Sequence, residues 1–187
     1  DALEQMVLEG EHISEFRFKG EDFRGIKLGG ALFEQVEFHD CEMDSAILRE
    51  GIFSHCIFRS VRMSKADLSH AVFDRCEFSS VSLKGADLRS LKLYQGSQKS
   101  LLMEDADLSA AAFINANLEG ANLSRARLDR STFLDSAMPG IRFCGSLLSQ
   151  AVFYKADLES ADFEGTIFDR AIFTEANLRG QNLSGKN

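Results

Sequence analysis

Residues 106–125 read ADLSA, AAFIN, ANLEG, ANLSR. Leu108, Phe113, Leu118 and Leu123 stand five apart, and Ala106, Ala111, Ala116 and Ala121 precede them by two. The register extends outward from this stretch in both directions. Of the 37 positions ending in 3 or 8 from Leu3 to Leu183, all but Gln98 are Leu, Phe, Met or Ile, with no insertion or deletion. Self-similarity this strict marks a repeat architecture.

The site two residues before each centre is small: of 30 such sites from Ala31 to Ala176, 27 are Ala, Cys, Val, Ser, Gly or Thr. Two inward side chains separated by one outward residue have the period of an extended strand. Three residues then pass before the next inward pair, so a corner falls in every unit. Glycine agrees, because 11 of the 14 occupy multiples of five, where a tight turn favours a residue without Cβ. An α-helix turns about 500° in five residues and would spread this pattern around its circumference. Helix is excluded as the main element.

The triplets Ala66-Asp67-Leu68, Ala86-Asp87-Leu88, Ala106-Asp107-Leu108, Ala116-Asn117-Leu118, Ala121-Asn122-Leu123, Ala156-Asp157-Leu158 and Ala176-Asn177-Leu178 resemble the A(D/N)LXX consensus of pentapeptide-repeat proteins. The resemblance covers essentially the whole chain. It implies an all-β fold, a right-handed quadrilateral parallel β-helix with four units per coil. Such a coil predicts a second period of twenty, which the sequence carries. Side two has the centres Leu8, Leu28, Leu48, Leu68, Leu88, Leu108, Leu128, Leu148 and Phe168; side three has Ile13, Phe33, Phe53, Phe73, Leu93, Phe113, Phe133, Phe153 and Phe173. Like side chains stacking from coil to coil in a close-packed interior account for the columns. The 37 units correspond to about nine coils, on the order of 45 Å at the spacing of neighbouring strands.

Residues 1–187 are read as one β-helix domain, a complete chain or a fragment of a longer one. Residues 1–30 are expected to be irregular coils acting as a cap, since Met6, Glu11, Phe16, Glu21 and Ile26 occupy small inward sites and solenoid ends are atypical. Ile13 is accordingly expected to be a weaker core position than Phe113. Residues 94–102 form a local irregularity, and Gln98 is expected to lift out in a bulge, which needs no internal partner for its amide. No apolar run reaches the roughly 20 residues of a membrane-spanning helix, and the start has no signal-peptide pattern. No membrane insertion is expected, and the bacterial cytoplasm is the expected compartment, with export as part of a larger protein as the alternative.

The residues give catalysis little to work with. Cys41, Cys56 and Cys76 fall on small inward sites and Cys144 faces out; Cys56 and Cys76 lie one coil apart, within reach of a disulfide, but are read as reduced core residues. His12, His39, His55 and His70 lie on different coils or sides. No metal-ligand spacing or phosphate loop is present, so no enzyme, metal or cofactor is expected. Asp67, Asp87 and Asp107 stack on side two in successive coils, the weaker candidate for a functional ridge that holds a cation or an acidic contact. The plain alternative is that Asp is the consensus residue there.

Relatives resembling double-stranded DNA in shape and charge bind DNA gyrase, and the net charge of −8 keeps that reading as the alternative. Lys and Arg against Asp and Glu give −4, 0, −3 and −1 for sides one to four, so no side concentrates the negative field a DNA mimic requires. Binding to nucleic acid is not expected either. The leading expectation is a non-catalytic scaffold or docking module for another protein or domain, a homodimer included, within a larger bacterial secretion-associated or effector protein. The contact is expected on side three, towards the C-terminal half. The outward residues before the centres there are Leu32, Ile52, Val72, Lys92, Ala112, Thr132, Val152 and Ile172; those after them include Tyr94, Ile114, Leu134 and Tyr154, with the only two tyrosines. Exposed apolar strips mark interfaces, and tyrosine is favoured at hot spots.

Overall fold

A computed structural model describes residues 2–181 and residue 183; residues 1, 182 and 184–187 of the expected domain lie outside them. The chain winds as a four-sided parallel β-solenoid. The strands are β1 (His12–Ser14), β2 (Arg17–Lys19), β3 (Leu32–Glu34), β4 (Glu37–His39), β5 (Ile52–Ser54) and β6 (Ile57–Arg59). Then come β7 (Val72–Asp74), β8 (Glu77–Ser79), β9 (Lys92–Tyr94), β10 (Ala112–Ile114), β11 (Thr132–Leu134) and β12 (Val152–Tyr154). Side three is one eight-stranded sheet, β1-β3-β5-β7-β9-β10-β11-β12; side four carries β2-β4-β6-β8. Sides one and two are held by single parallel bridges such as Asp22↔Glu42 and Asp67↔Asp87. Every pairing joins residues twenty apart, as in Phe113↔Phe133.

The coils number slightly fewer than the nine counted from the repeat. The longer sheet stacks its eight strands in seven steps, and the chain's first turns are spent on a helix, α1 (Ala2–Leu8). Leu8, counted from the repeat as a core leucine of side two, ends that helix and is 79% exposed. Leu3 is buried, and Met6 and Val7 pack on the core. Ile13 beside them is fully buried, which corrects the expectation of a weak first coil at that position.

Two backbone ladders run through the rod. The outward residue before each centre donates its N–H to the small residue 21 positions earlier, as Asp67 does to Ala46 (2.9 Å); the centre donates to the outward residue 19 positions later, as Leu108 does to Arg127 (2.7 Å). Each multiple of five from Gly10 to Gly180 has a positive φ, and 25 of these residues are not glycine. Many corners are closed by a bond between the centre carbonyl and the N–H three residues on, as Ala111 N–H to Leu108 O (2.9 Å). A type II turn has this bond and needs positive φ at its third residue. The ladders on either side hold non-glycine residues in a conformation that costs each roughly 1 to 2 kcal/mol.

The interior is two blocks of stacked phenylalanines. Phe33, Phe53 and Phe73 stack on side three, with the last pair 4.6 Å apart and tilted 8°. Phe18, Phe38, Phe58 and Phe78 stack on side four and meet the first column edge to face. The second block stacks Phe113, Phe133, Phe153 and Phe173 against Phe143 and Phe163 of side one. Leu93 and Gln98 separate the blocks.

Gln98 is not bulged out; it is fully buried. Its amide donates to Cys76 O (3.2 Å) and Gln95 O (2.9 Å), and its carbonyl oxygen accepts from Asn117 N–H (3.2 Å). The irregularity lies in the backbone beside it. Gly96, on a small inward place, has φ +79°, where a Cβ would lie 2.1 Å from Cys76 O. The ladder rule has Asn117 N–H meet Gly96 O, and Gln98 supplies the acceptor instead. The same substitution occurs at the start: Met6 is in the helix region, and Lys27 N–H is accepted by the Glu4 carboxylate (2.8 Å).

Candidate protein interface

On side three the sheet sets outward residues in register. Tyr94 pairs with Ile114, Ile114 with Leu134 and Leu134 with Tyr154, so four apolar or aromatic side chains form one continuous row across β9 to β12. Alternation places them outside because Leu93, Phe113, Phe133 and Phe153 fill the inside. Beside the row, Val152 bridges to Ile172. The row is half-buried by its own stacking, whereas Ile172 is 50% exposed and Ile167, around the corner on side two, 53%. Towards the N-terminus the face carries Leu32 and Ile52, both exposed. Tyr154 is fixed at the end of its row, its hydroxyl 3.5 Å from Glu175 Oε1 and Lys155 Nζ 5.2 Å from its ring centre. All six residues expected from the sequence, Tyr94, Ile114, Leu134, Val152, Tyr154 and Ile172, lie together on this face. Ile167 escaped notice because it belongs to another column of the repeat.

The aspartates of side two have local work. Oδ1 of Asp67 accepts from Ser69 N–H (3.1 Å) and its hydroxyl (2.6 Å), and Asp107 treats Ser109 likewise (3.0 and 2.6 Å). Asp87 accepts from Arg89 N–H and holds its guanidinium at 2.8 and 2.5 Å. That hydrogen-bonded guanidinium keeps the Asp87 carboxyl below the usual carboxylate range. Asn117, Asn122 and Asn177 make the same bond to the N–H two residues on, so the D/N of the repeat closes an Asx-type turn at the corner. Arg127 stacks above Asp107 but its guanidinium reaches Asp129 (3.5 Å).

All four cysteines are free. Cys56 and Cys76 donate to the carbonyls of Phe33 (3.6 Å) and Phe53 (3.3 Å) in the preceding coil; the neighbouring Cys56 and burial push the Cys76 thiol up. Cys144 Sγ lies 2.9 Å from Asp162 Oδ2 and, with Glu164, makes a small exposed acidic group on side one. Among the described residues no helix is long and apolar enough to cross a membrane.

This geometry, five-residue units with a turn in each and four to a coil, defines a class of repeat protein. The chain belongs to the pentapeptide-repeat family: residues 106–183 match the pentapeptide repeat region and residues 56–93 the pentapeptide repeats (8 copies). Comparison with curated proteins finds no match. Among solved structures, full-length QnrB1, a plasmid-mediated fluoroquinolone resistance protein, is 18% identical with a TM-score of 0.77, covering 93% of this chain and 89% of QnrB1. A trypsin-treated form of QnrB1 is 20% identical with a TM-score of 0.74 over 94% of this chain and 88% of its own. HetL, involved in heterocyst differentiation regulation in the cyanobacterium Nostoc sp. strain PCC 7120, is 21% identical over 94% and 93%, with a TM-score of 0.45.

Proposed function

We propose that the rod is a non-catalytic docking module that engages another protein through side three, towards its C-terminal half, as part of a larger bacterial secretion-associated or effector protein. The observation that carries this reading is the in-register row Tyr94, Ile114, Leu134 and Tyr154 beside Val152 and Ile172. A row of apolar and aromatic side chains on a flat, rigid sheet presents contact area at little entropic cost. The test is a photo-crosslinking residue at Leu134, compared in the source cells with one at Arg142 on the opposite side. Adducts are expected at position 134 alone, with a second copy of the chain as one readable product. Replacing both Ile114 and Tyr154 by Asp is expected to leave the β-rich circular dichroism intact and abolish the adduct. Equal adducts at both positions, or an adduct untouched by the double substitution, refute the reading.

The likeness of fold to QnrB1 and the net charge of −8 favour a second reading, a DNA-mimicking rod that binds DNA gyrase. It is distinguished by a supercoiling assay. The docking reading expects the purified protein neither to inhibit gyrase nor to rescue it from a quinolone; either effect at stoichiometric concentration replaces it with the second.

A further inference from the structure

Flat faces dominate this rod, but its corners carry shallow hollows. Two adjoining concavities of about 500 and 420 Å³ lie on the corner between sides four and one, sharing Ser80 and Ser100. They sit outside the coil in which Gly96 takes a positive φ and Gln98 replaces an apolar centre. At that coil side four also changes: strands β2, β4, β6 and β8 pair up to Ser79, the bridge Glu77↔Ser97 follows, and the side resumes as single bridges from Asn117↔Ala137 onward. The hollow thus borders the junction between the two phenylalanine blocks.

Its chemistry differs from that of the chain around it. The protein carries −8, whereas the charged residues lining the two concavities are Arg59, Arg62, Lys99 and Glu77, an excess of positive charge. Arg62 is bound to Asp44 (2.8 Å) and Lys99 to Glu119 (2.5 Å). Arg59 has no acidic partner among the described residues, and it pairs in register with Ser79, which also lines the hollow. At the other end Leu102 is 42% exposed, over the edges of Val61 and Val81. A free guanidinium with hydroxyl donors at one end and an apolar shelf at the other is the recognition chemistry of an amphiphilic oxyanion.

We propose that this hollow binds a small phosphate or sulfate ester, with the oxyanion on Arg59 and the surrounding serine hydroxyls and the organic group against Leu102. The site lies away from side three and is independent of the docking reading. The experiment titrates the whole protein with phenyl phosphate, phenyl sulfate and inorganic phosphate, following backbone amide shifts by NMR. Saturable shifts are expected around Ser60, Ser79, Ser80 and Ser100, with either phenyl ester binding more tightly than inorganic phosphate. The relative response to the two esters identifies which oxyanion is preferred. Arg59→Gln is expected to weaken binding about tenfold or more, the loss of a charge-assisted hydrogen bond. Leu102→Ser is expected to erase the advantage of the phenyl group while leaving inorganic phosphate unchanged. Lys92→Gln, a cation on side three, serves as the control. The proposal is overturned if shifts scatter over all surface cations, if Arg59→Gln and Lys92→Gln have equal effect, or if nothing saturates below about 10 mM, an affinity weaker than about −3 kcal/mol.

Discussion

Replacing Gln98 by Leu restores the repeat, since 36 of the 37 centres are already Leu, Phe, Met or Ile. Judged by the repeat alone, the substitution stabilises, because burying a leucine side chain is worth about 1.5 to 3 kcal/mol. The structure gives the opposite sign. Gln98 Oε1 accepts the Asn117 N–H (3.2 Å), and its side-chain NH2 donates to Cys76 O and Gln95 O. Cys76 O keeps a bond from Ser97 N–H (3.1 Å), and Gln95 is exposed to water, so those two carbonyls lose little. Asn117 N–H loses its acceptor, because Gly96 is turned out of the ladder and cannot turn back while its own φ is +79°. An unpaired buried donor costs about 1 to 3 kcal/mol, and branching a leucine into a site shaped for a linear amide adds about 1 to 3 kcal/mol. These penalties together exceed the burial gain, so Gln98→Leu is expected to lose about 1 to 2 kcal/mol. Urea denaturation reads the midpoint, and hydrogen exchange at the Asn117 amide reads the site. A Gln98→Leu protein more stable than the parent, with Asn117 still protected, refutes the reasoning.

Core truncation is expected to be severe both in the middle of the side-three column and at its start. Phe113→Ala loses about 3 to 5 kcal/mol and Ile13→Ala about 2 to 5 kcal/mol by chemical denaturation, since both are fully buried; an Ile13→Ala loss below about 1 kcal/mol would show that α1 does not seal the first coil. Asp107→Asn is expected to be nearly neutral and Asp107→Ala to cost about 1 to 2 kcal/mol, because only the two bonds from Ser109, from its N–H and its hydroxyl, are at stake. Equal losses for the two would assign the work to the charge. At Asp87 the charge does matter: its carboxyl is held below the usual range by Arg89, so its contribution is full above the unfolded value and is lost as pH falls through the lower folded one. With Arg89 58% exposed that contribution is small, and Asp87→Asn is expected to flatten the acid limb of the stability curve only slightly.

The five-residue period, the inward and outward places and the twenty-residue columns were legible in the sequence because a solenoid makes each unit contact only its counterparts one coil away. Local pattern and tertiary contact are then the same information, and the row from Tyr94 to Tyr154 follows from arithmetic on residue numbers. Where a residue's partner lies outside that arithmetic, the sequence was silent or misleading. Leu3 and Leu8 keep the period yet sit in a helix, where Leu3, Met6 and Val7 meet the core at helical spacing and Leu8 does not. Gln98 reads as a lapse and is a replacement for a backbone acceptor, which only the path of Gly96 reveals. Non-glycine residues hold positive φ at 25 corners because ladders on both sides outweigh the local preference for glycine. A repeat specifies its own continuation, and tertiary structure decided what happens where the continuation fails.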